Sequence, residues 1–189
     1  MRIPPLIPPI HTIDEYGSVF VPCFSKIDKI ENALKYAQNC GTEVVYVEKD
    51  GEISLCNDAR LKMFVEKAEP VKHASNLSAV YKLIAYNNSA LFTGDMNIYQ
   101  EYRYLDYGDE MDTDVLLVAH HGSKTSSHPR FIELCSPRYS IISVAGNNNQ
   151  NLPSTAVVDR LKKVSTVLST DELSTIKFRY NKKGYKLVK

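Results

Sequence analysis

Apolar residues along the chain recur in short runs typical of β-strands, interrupted by one stretch with helical spacing. Residues 18–21 form a short apolar run that predicts a strand. Within 26–39, apolar side chains then recur every three or four positions, with Ser25 before them as a cap and Gly41 after them as a stop. The first part of the chain is therefore expected to fold as a strand followed by a helix.

Two pairs of strands are predicted next, each from a turn signal between β-rich runs. The segment 42–56 carries β-branched residues on either side of Asp50–Gly51 and predicts a hairpin. Residues 61–66 predict a further strand. The segment 78–93 contains two β-rich runs joined at Asn87–Asn88, which predicts a second hairpin because asparagine tolerates a positive φ.

The second half of the chain is expected to alternate strands with helices. Residues 101–114 hold six carboxylates and one arginine, which predicts a short helix and an exposed loop. Strands and helices then alternate, at 115–119, 129–135, 139–144 and 154–163. Such alternation places helices on the outside of a sheet. The end of the chain predicts β-structure, with a hairpin across 181–184.

The composition indicates one ordinary globular domain. The chain has 189 residues, 43% of them hydrophobic and 24% charged, with a formal net charge of +1, so no global charge attracts nucleic acid or a membrane. We expect a single domain over 1–189 with a proline-rich lead at 1–17. No apolar run approaches the ~18 residues of a membrane span, and the chain is expected to be cytoplasmic. Four cysteines without a CxxC pair are expected to be reduced and buried: Cys23, Cys40, Cys56 and Cys135.

Chemistry is most strongly indicated where two predicted strands end. Asp95 follows a strand and a glycine, and His120 and His121 follow the strand "VLLVA". Short loops at neighbouring strand ends bring polar groups together, and carboxylate with imidazole is a ligand set for zinc, manganese or iron. The alternative is that Asp95 caps a helix beginning near Asn97 while one histidine is satisfied by local backbone.

The residues around these strands also resemble a known family. "NLSAVYKLIAYNNSALFTGD", then "DTDVLLVAHHGSKTSSHPRFIELCSPRYSIISV" and "GNNNQNLPSTAVVDRLKK", are similar to the C-terminal half of a metallo-β-lactamase-fold domain of the ComEC (DNA-uptake competence protein) type. The best-matching region is 76–171. The resemblance implies an α/β fold, a metallo-β-lactamase-like αββα sandwich in which two mixed sheets face each other with helices outside.

The resemblance also implies a set of functional residues. Asp95 would be the carboxylate placed between two metal ions, and one of His120 and His121 would complete the coordination. The site would hold one or two divalent ions, zinc or manganese. Adjacent strand residues point to opposite faces, so only one of the two histidines is expected to be a ligand. His121 is favoured, because comparable folds place a His-Gly step at that loop; His120 would then act in catalysis beside the ion or contact a substrate phosphate. The remaining polar side chains would bind an anionic substrate such as DNA or another phosphodiester: Asn76, Ser78, Ser123, Lys124, Thr125 and Ser126.

The sequence departs from the family at two places. The first metal motif, His-x-His/Asp-x-Asp-His, is absent, since only His11 and His73 precede Asp95. The family's Gly-His-Pro is replaced before the last helix, where Leu152 stands in the histidine position. We therefore expect a chain that begins downstream of half of the site, with either a complementing N-terminal half or self-association. The function implied is a metal-dependent phosphodiester hydrolase; the alternative is a non-catalytic remnant or nucleic-acid-binding scaffold.

Three further features have structural and functional interpretations. His128, before Pro129, is expected to cap the following helix. The tail from 160 to 189 holds nine basic and two acidic residues, which suits either a solvated strand face or a nucleic-acid backbone. Tyr180 and Tyr185 flank this basic tail and suit either packing or stacking on bases.

Overall fold

The computed structural model describes residues 18–22, 28–47, 49–65 and 78–188. The strands are β1 (Ser18–Pro22), β2 (Glu43–Val47), β3 (Gly51–Cys56), β4 (Ala59–Phe64), β5 (Val80–Ala85), β6 (Asn88–Phe92), β7 (Val115–Leu117), β8 (Tyr139–Ile142), β9 (Thr166–Ser169), β10 (Lys177–Asn181) and β11 (Gly184–Val188). The helices are α1 (Asp28–Asn39), α2 (Ile98–Tyr104), α3 (Pro129–Cys135), α4 (Thr155–Leu161) and the short α5 (Thr170–Leu173). Two 3₁₀ segments cover Leu105–Met111 and Ala119–Gly122.

Seven strands, β3 to β9 in chain order, form one mixed sheet. Strands β3 to β6 pair antiparallel, whereas β6, β7, β8 and β9 pair in parallel. Parallel neighbours need long crossover connections, and α2, α3 and α4 lie in the three crossovers. The predicted alternation of strands and helices in the second half of the chain is confirmed.

Of the two hairpins predicted from the sequence, at 42–56 and at 78–93, only the second forms. The second is confirmed: β5 and β6 pair antiparallel, and the turn lies one residue earlier than predicted, with Tyr86 at φ 55°. The first is wrong, because β2 pairs in parallel with β1 and β3 pairs with β4. The carboxylate of Asp50, at the predicted turn, has partners elsewhere in the chain. It accepts hydrogen bonds from the Val65 N–H at 2.7 Å and the Tyr107 hydroxyl at 3.1 Å, so it fastens the start of β3 to distant segments.

The sheet has a helical layer on one face and strands on the other. Leu91, Leu116 and Ile142 point to the helical face, where they lie in cores with residues of α3 and α4. Ala90, Val115 and Ile141 alternate to the opposite face, which Phe178 of β10 covers. On that same face Val47 of β2 packs on the buried side chains of β3 to β5. This order of helices, sheet and further strands matches the predicted sandwich.

The acidic stretch after Asp95 is more buried than expected. The short helix is confirmed as α2, and the carboxylates of Asp106, Asp109, Glu110 and Asp112 are exposed as expected. The residues after α2 nevertheless form a 3₁₀ segment with anchored ends: Tyr104, the last residue of α2, and Met111, the last residue of the segment, are almost fully buried. Both side chains belong to the core on the helical face, so apolar anchors outweigh the charges around them.

The cysteine and histidine predictions are partly corrected. Cys135 is buried and unpaired, as expected, but Cys40 and Cys56 are exposed; Cys23 lies outside the described residues. His128 caps α3 as predicted, since its Nδ1 accepts the Arg130 N–H at 3.3 Å and proline follows it. Within the described part of the chain, no helix has the length and apolarity needed to cross a membrane.

Candidate metal centre

Asp95 and His121 meet where three parallel strands end. β6 leads into Gly94 and Asp95, β7 leads into the histidine turn, and β8 leads into Ser143. The carboxyl ends of neighbouring parallel strands lie at one edge of a sheet. His121 Nε2 lies 3.6 Å from Asp95 Oδ1, and both side chains are half exposed or more, at 50% and 68%. The two side chains named from the sequence are thus brought together at an open edge.

The other nitrogen of His121 is held by backbone. His121 Nδ1 lies 2.6 Å from the Ser143 carbonyl oxygen. A carbonyl oxygen only accepts hydrogen bonds, so Nδ1 carries the hydrogen, and in the neutral ring Nε2 keeps its lone pair on the side of Asp95. A carbonyl that fixes the tautomer and ring orientation in this way is the usual partner of a metal-binding histidine.

The two histidines lie in a turn and not in a strand. His120 and His121 have left-handed backbone angles, with φ 51° and 54°, within the 3₁₀ segment after β7. The argument from alternating strand faces is therefore wrong for this pair. The His120 N–H donates to the Gly94 carbonyl at 2.9 Å, which ties the histidine turn to the Asp95 loop. His120 Nδ1 is buried and has no hydrogen-bond partner among the described residues.

Ser78 and Gly94 position the backbone of Asp95. The Ser78 hydroxyl accepts the Asp95 N–H at 3.1 Å. Gly94 has φ 56°, and a side chain there would come within 3.2 Å of Ser78. Asn97, and not Asp95, caps α2, because its Oδ1 accepts from the first helical N–H groups. The alternative role of Asp95 as the helix cap is thus wrong, and its carboxylate is left free for other chemistry.

The hydroxyl-rich loop after the histidines is divided between internal and exposed groups. Ser126 is buried, and its Oγ lies 2.9 Å from the carbonyls of both Ala119 and Ser123. Ser123 and Thr125 bond each other through their hydroxyls at 3.0 Å. Lys124 is exposed at the loop tip. Ser126 is therefore used within the loop, whereas the other three can face a ligand. Asn76 lies outside the described residues.

A buried carboxylate that the sequence analysis did not single out holds the end of this loop. Glu101 is fully buried, and its two oxygens accept the N–H groups of Ser127 and His128, each at 2.6 Å. Arg160 donates to the Ser127 carbonyl at 2.5 Å. Burial raises the pKa of Glu101 to about 7, against the opposing effect of these two backbone donors and Arg160. Its position among acidic neighbours in the sequence gave no sign of this role.

A cleft of about 370 Å³ opens beside His121, and the asparagine loop forms one wall. Leu152 lines it, in the position of the family's histidine, together with Asn148 and Thr170. Asn148 organises the loop. Its Nδ2 donates to the carbonyls of Ala145 and Leu152 at 2.8 and 2.7 Å, and its Oδ1 accepts the Leu152 N–H at 2.8 Å.

Replacing Asn148 should loosen this wall of the cleft. Asn148→Ala removes several hydrogen bonds at a half-buried site, so we expect the free energy of unfolding to fall by about 2 kcal/mol. Urea unfolding measures the loss, and faster hydrogen exchange of the Leu152 amide locates it. Asn149→Ala is the matched control, because the Asn149 side chain is exposed and makes no such bonds to the part of the chain that the structure describes. Equal losses in the two variants would contradict the assignment.

The described residues supply half of a metal site at most. In residues 18–22, 28–47, 49–65 and 78–188, no group of three or more histidine, cysteine, aspartate or glutamate side chains is placed to hold one ion. The separation of 3.6 Å nevertheless suits two ligands of a single ion: donors about 2.1 Å from a tetrahedral zinc lie roughly 3.4 Å apart. Asp95 and His121 therefore fit a metal as a pair.

Comparison with known proteins finds related sequences among curated proteins and related solved structures. ComE operon protein 3 of Bacillus subtilis (strain 168) is 31% identical over 153 residues, which is 80% of this chain and 20% of that protein. Competence protein ComA of Neisseria gonorrhoeae is 32% identical over 111 residues, or 58% of this chain and 16% of that protein. No protein-family model matches the chain. The chain thus spans about a fifth of the length of these curated relatives.

The structural comparison supports the same fold. The crystal structure of CmlA, a diiron β-hydroxylase from Streptomyces venezuelae, matches with a TM-score of 0.52 over 82% of this chain and 39% of that chain, at 12% sequence identity. That protein has the metallo-β-lactamase fold. Sequence and fold agree with the resemblance seen in the strand-end motifs: this chain is a metallo-β-lactamase-fold homologue of the ComEC-type competence proteins.

Proposed function

We propose that the chain provides part of a divalent-metal centre, for zinc or manganese, that hydrolyses phosphodiester bonds, with DNA as the substrate class. The observation that carries the proposal is the His121 geometry: one ring nitrogen is fixed on the Ser143 carbonyl, and the other lies beside Asp95. The relative named Competence protein ComA supports DNA as the substrate class.

Asp95 and His121 would hold the ion, and the surrounding residues would place the substrate. A bound divalent cation lowers the pKa of a water ligand and stabilises charge on the attacked phosphoryl oxygen. His120, tied to Gly94 through its backbone, lies next to the ligand pair and is our candidate for contact with a substrate phosphate. Exposed Lys124 offers a cation to the same group.

The remaining ligands of this centre must come from outside the described residues. Within this chain the candidates are His11 and His73, which lie in 1–17 and 66–77. A second copy of the chain could supply the same two histidines. The mass of the metal-loaded species in sedimentation distinguishes one chain from two.

Metal titration tests the proposal directly. The purified chain should bind zinc or manganese near stoichiometrically, and Asp95→Ala or His121→Ala should weaken binding at least about ten-fold because each removes one ligand. His128→Asn is the matched control, since it removes a histidine outside the pair and keeps a good helix cap. Loss of binding in the control, or none in His121→Ala, would contradict the assignment.

A non-catalytic scaffold is the second candidate, and one observation favours it. Leu152 lines the cleft where the family has histidine, and a leucine side chain neither binds metal nor transfers protons. The same titration separates the candidates. A wild-type chain that binds no metal at micromolar concentration, and does not hydrolyse bis(4-nitrophenyl) phosphate, would support the scaffold.

A further inference from the structure

The terminal hairpin, β10 with β11, presents a basic face to solvent. Five cations on its two strands and turn are exposed: Lys177, Arg179, Lys182, Lys183 and Lys186. In the described part of the chain none of them forms a salt bridge with a carboxylate. We call these five residues the basic ribbon.

The ribbon places like charges directly opposite each other. Arg179 and Lys186 are cross-strand partners, and both side chains point away from the sheet beneath. Directly opposed like charges weaken a two-stranded pair, by an amount comparable to what a good cross-strand pair contributes. Lysines that only protect a sheet edge from aggregation do not need this arrangement. A polyanion lying across the pair would neutralise both charges, so binding it would relieve their repulsion.

The opposite side of the hairpin is firmly anchored. Phe178 and Tyr185 pack against Tyr139 at the start of β8, with ring centroids 5.3 and 6.0 Å from its ring. Tyr180 contacts Tyr185 at 5.8 Å. Burial raises the pKa of Tyr180 to about 12. These tyrosines pack within the protein, so the ribbon offers a surface of charge and not one of stacking rings or apolar groups that enter a lipid layer.

The hairpin that carries the ribbon contacts the starts of β6 and β8, whereas the Asp95–His121 pair lies where β6 and β7 end. The turn of the hairpin lies near the start of β6, where Gly184 approaches the Asn88 side chain. At the other end, the chain leads into β10 from Thr170, which lines the cleft beside His121.

We propose that the basic ribbon binds the sugar–phosphate backbone of a single nucleic-acid strand, as a surface separate from the Asp95–His121 centre. Spacing supports an extended strand: alternate β10 residues lie about 6.6 Å apart, so Lys177 and Arg179 present regularly spaced cations. Binding is electrostatic and independent of base sequence. It needs no metal, so its failure and that of the proposed function are separable.

Fluorescence anisotropy tests whether the ribbon binds nucleic acid. The probe is a short fluorescein-labelled single DNA strand, and its binding is measured in EDTA over a range of salt concentrations. Arg179→Gln with Lys186→Gln should weaken binding about five-fold and reduce the slope of log affinity against log salt by about 1.4, at roughly 0.7 for each lost contact. Lys162→Gln with Lys163→Gln is the control, because it removes the same charge from exposed residues after α4 on the helical side. Lys186→Glu, which pairs with Arg179 across the hairpin, gives a second variant with little risk of unfolding.

Three results of the anisotropy measurements would overturn the inference. They are no binding by the wild-type chain at low salt, an equal loss in the control, and an unchanged salt slope in both ribbon variants. Vesicles of phosphatidylcholine and phosphatidylserine provide the membrane comparison: tighter binding to these vesicles than to the DNA strand would also reject it. A duplex of the same length shows whether the ribbon prefers a single strand, and preference for the duplex would contradict the proposal as stated.

Discussion

Glu101→Ala should destabilise the chain by about 3 to 4 kcal/mol at pH 5, because it leaves two buried backbone N–H groups without acceptors. Those groups belong to Ser127, which is 4% exposed, and His128. For a chain of this size the loss corresponds to a fall of roughly 10 °C in the melting temperature. Since Glu101 holds the end of the histidine loop, faster hydrogen exchange should begin at these two amides.

The cost of removing Glu101 should shrink at higher pH. The pKa of Glu101 is raised from 4.5 to about 7 in the folded chain, so the unfolded chain releases this proton first as the pH rises. The contribution of Glu101 to the free energy of unfolding is therefore complete below about pH 4.5 and falls by about 3 kcal/mol by pH 7. Urea unfolding at pH 5 and pH 8 measures the change.

Glu101→Gln is the matched control for this prediction. Its amide oxygen still accepts one of the two N–H groups, so we expect about half of the loss at pH 5. Neither Gln nor Ala titrates, and the two variants should keep a constant difference between pH 5 and pH 8. Wild-type stability that gains over both variants as the pH rises would contradict the prediction.

Gly122→Ala should cost about 3 kcal/mol, for two separate reasons. Gly122 has φ 76°, and a Cβ atom there would lie 2.8 Å from the Cβ atom of Pro153. The Gly122 carbonyl also accepts the Ser154 N–H at 2.9 Å, so the two loops cannot separate without losing this bond. Urea unfolding measures the loss, and displacement of the Pro153 loop should also alter the cleft beside His121.

Gly41→Ala separates backbone strain from close packing. Gly41 ends α1 with φ 85°, but a Cβ atom there would meet no described atom within 4 Å. We expect this variant to lose only about 1 kcal/mol, the cost of the left-handed conformation alone. If both glycine variants lost the same amount, the contact between Gly122 and Pro153 would not matter to stability.

The placement of Asp95 beside His121 shows what local sequence pattern predicts well. Each residue follows an apolar strand, and strands joined by helical crossovers are parallel, so their carboxyl ends share one edge of the sheet. The pattern therefore predicted the convergence without any knowledge of long-range contacts. It did not predict the left-handed turn at His120 and His121, because that conformation depends on bonds to Gly94 and Ser143.

The sequence by itself determined the strand and helix order of the second half, the second hairpin, the cap at His128 and the nearness of Asp95 to His121. These depend on periodicity, turn chemistry and strand order, which are written in neighbouring residues. Only the tertiary structure decided that β2 pairs with β1, that Asp50 binds Val65, and that Glu101 holds the histidine loop. In each case the partner lies far away in the chain, and a hydrogen bond between distant residues leaves no periodic signal in the sequence.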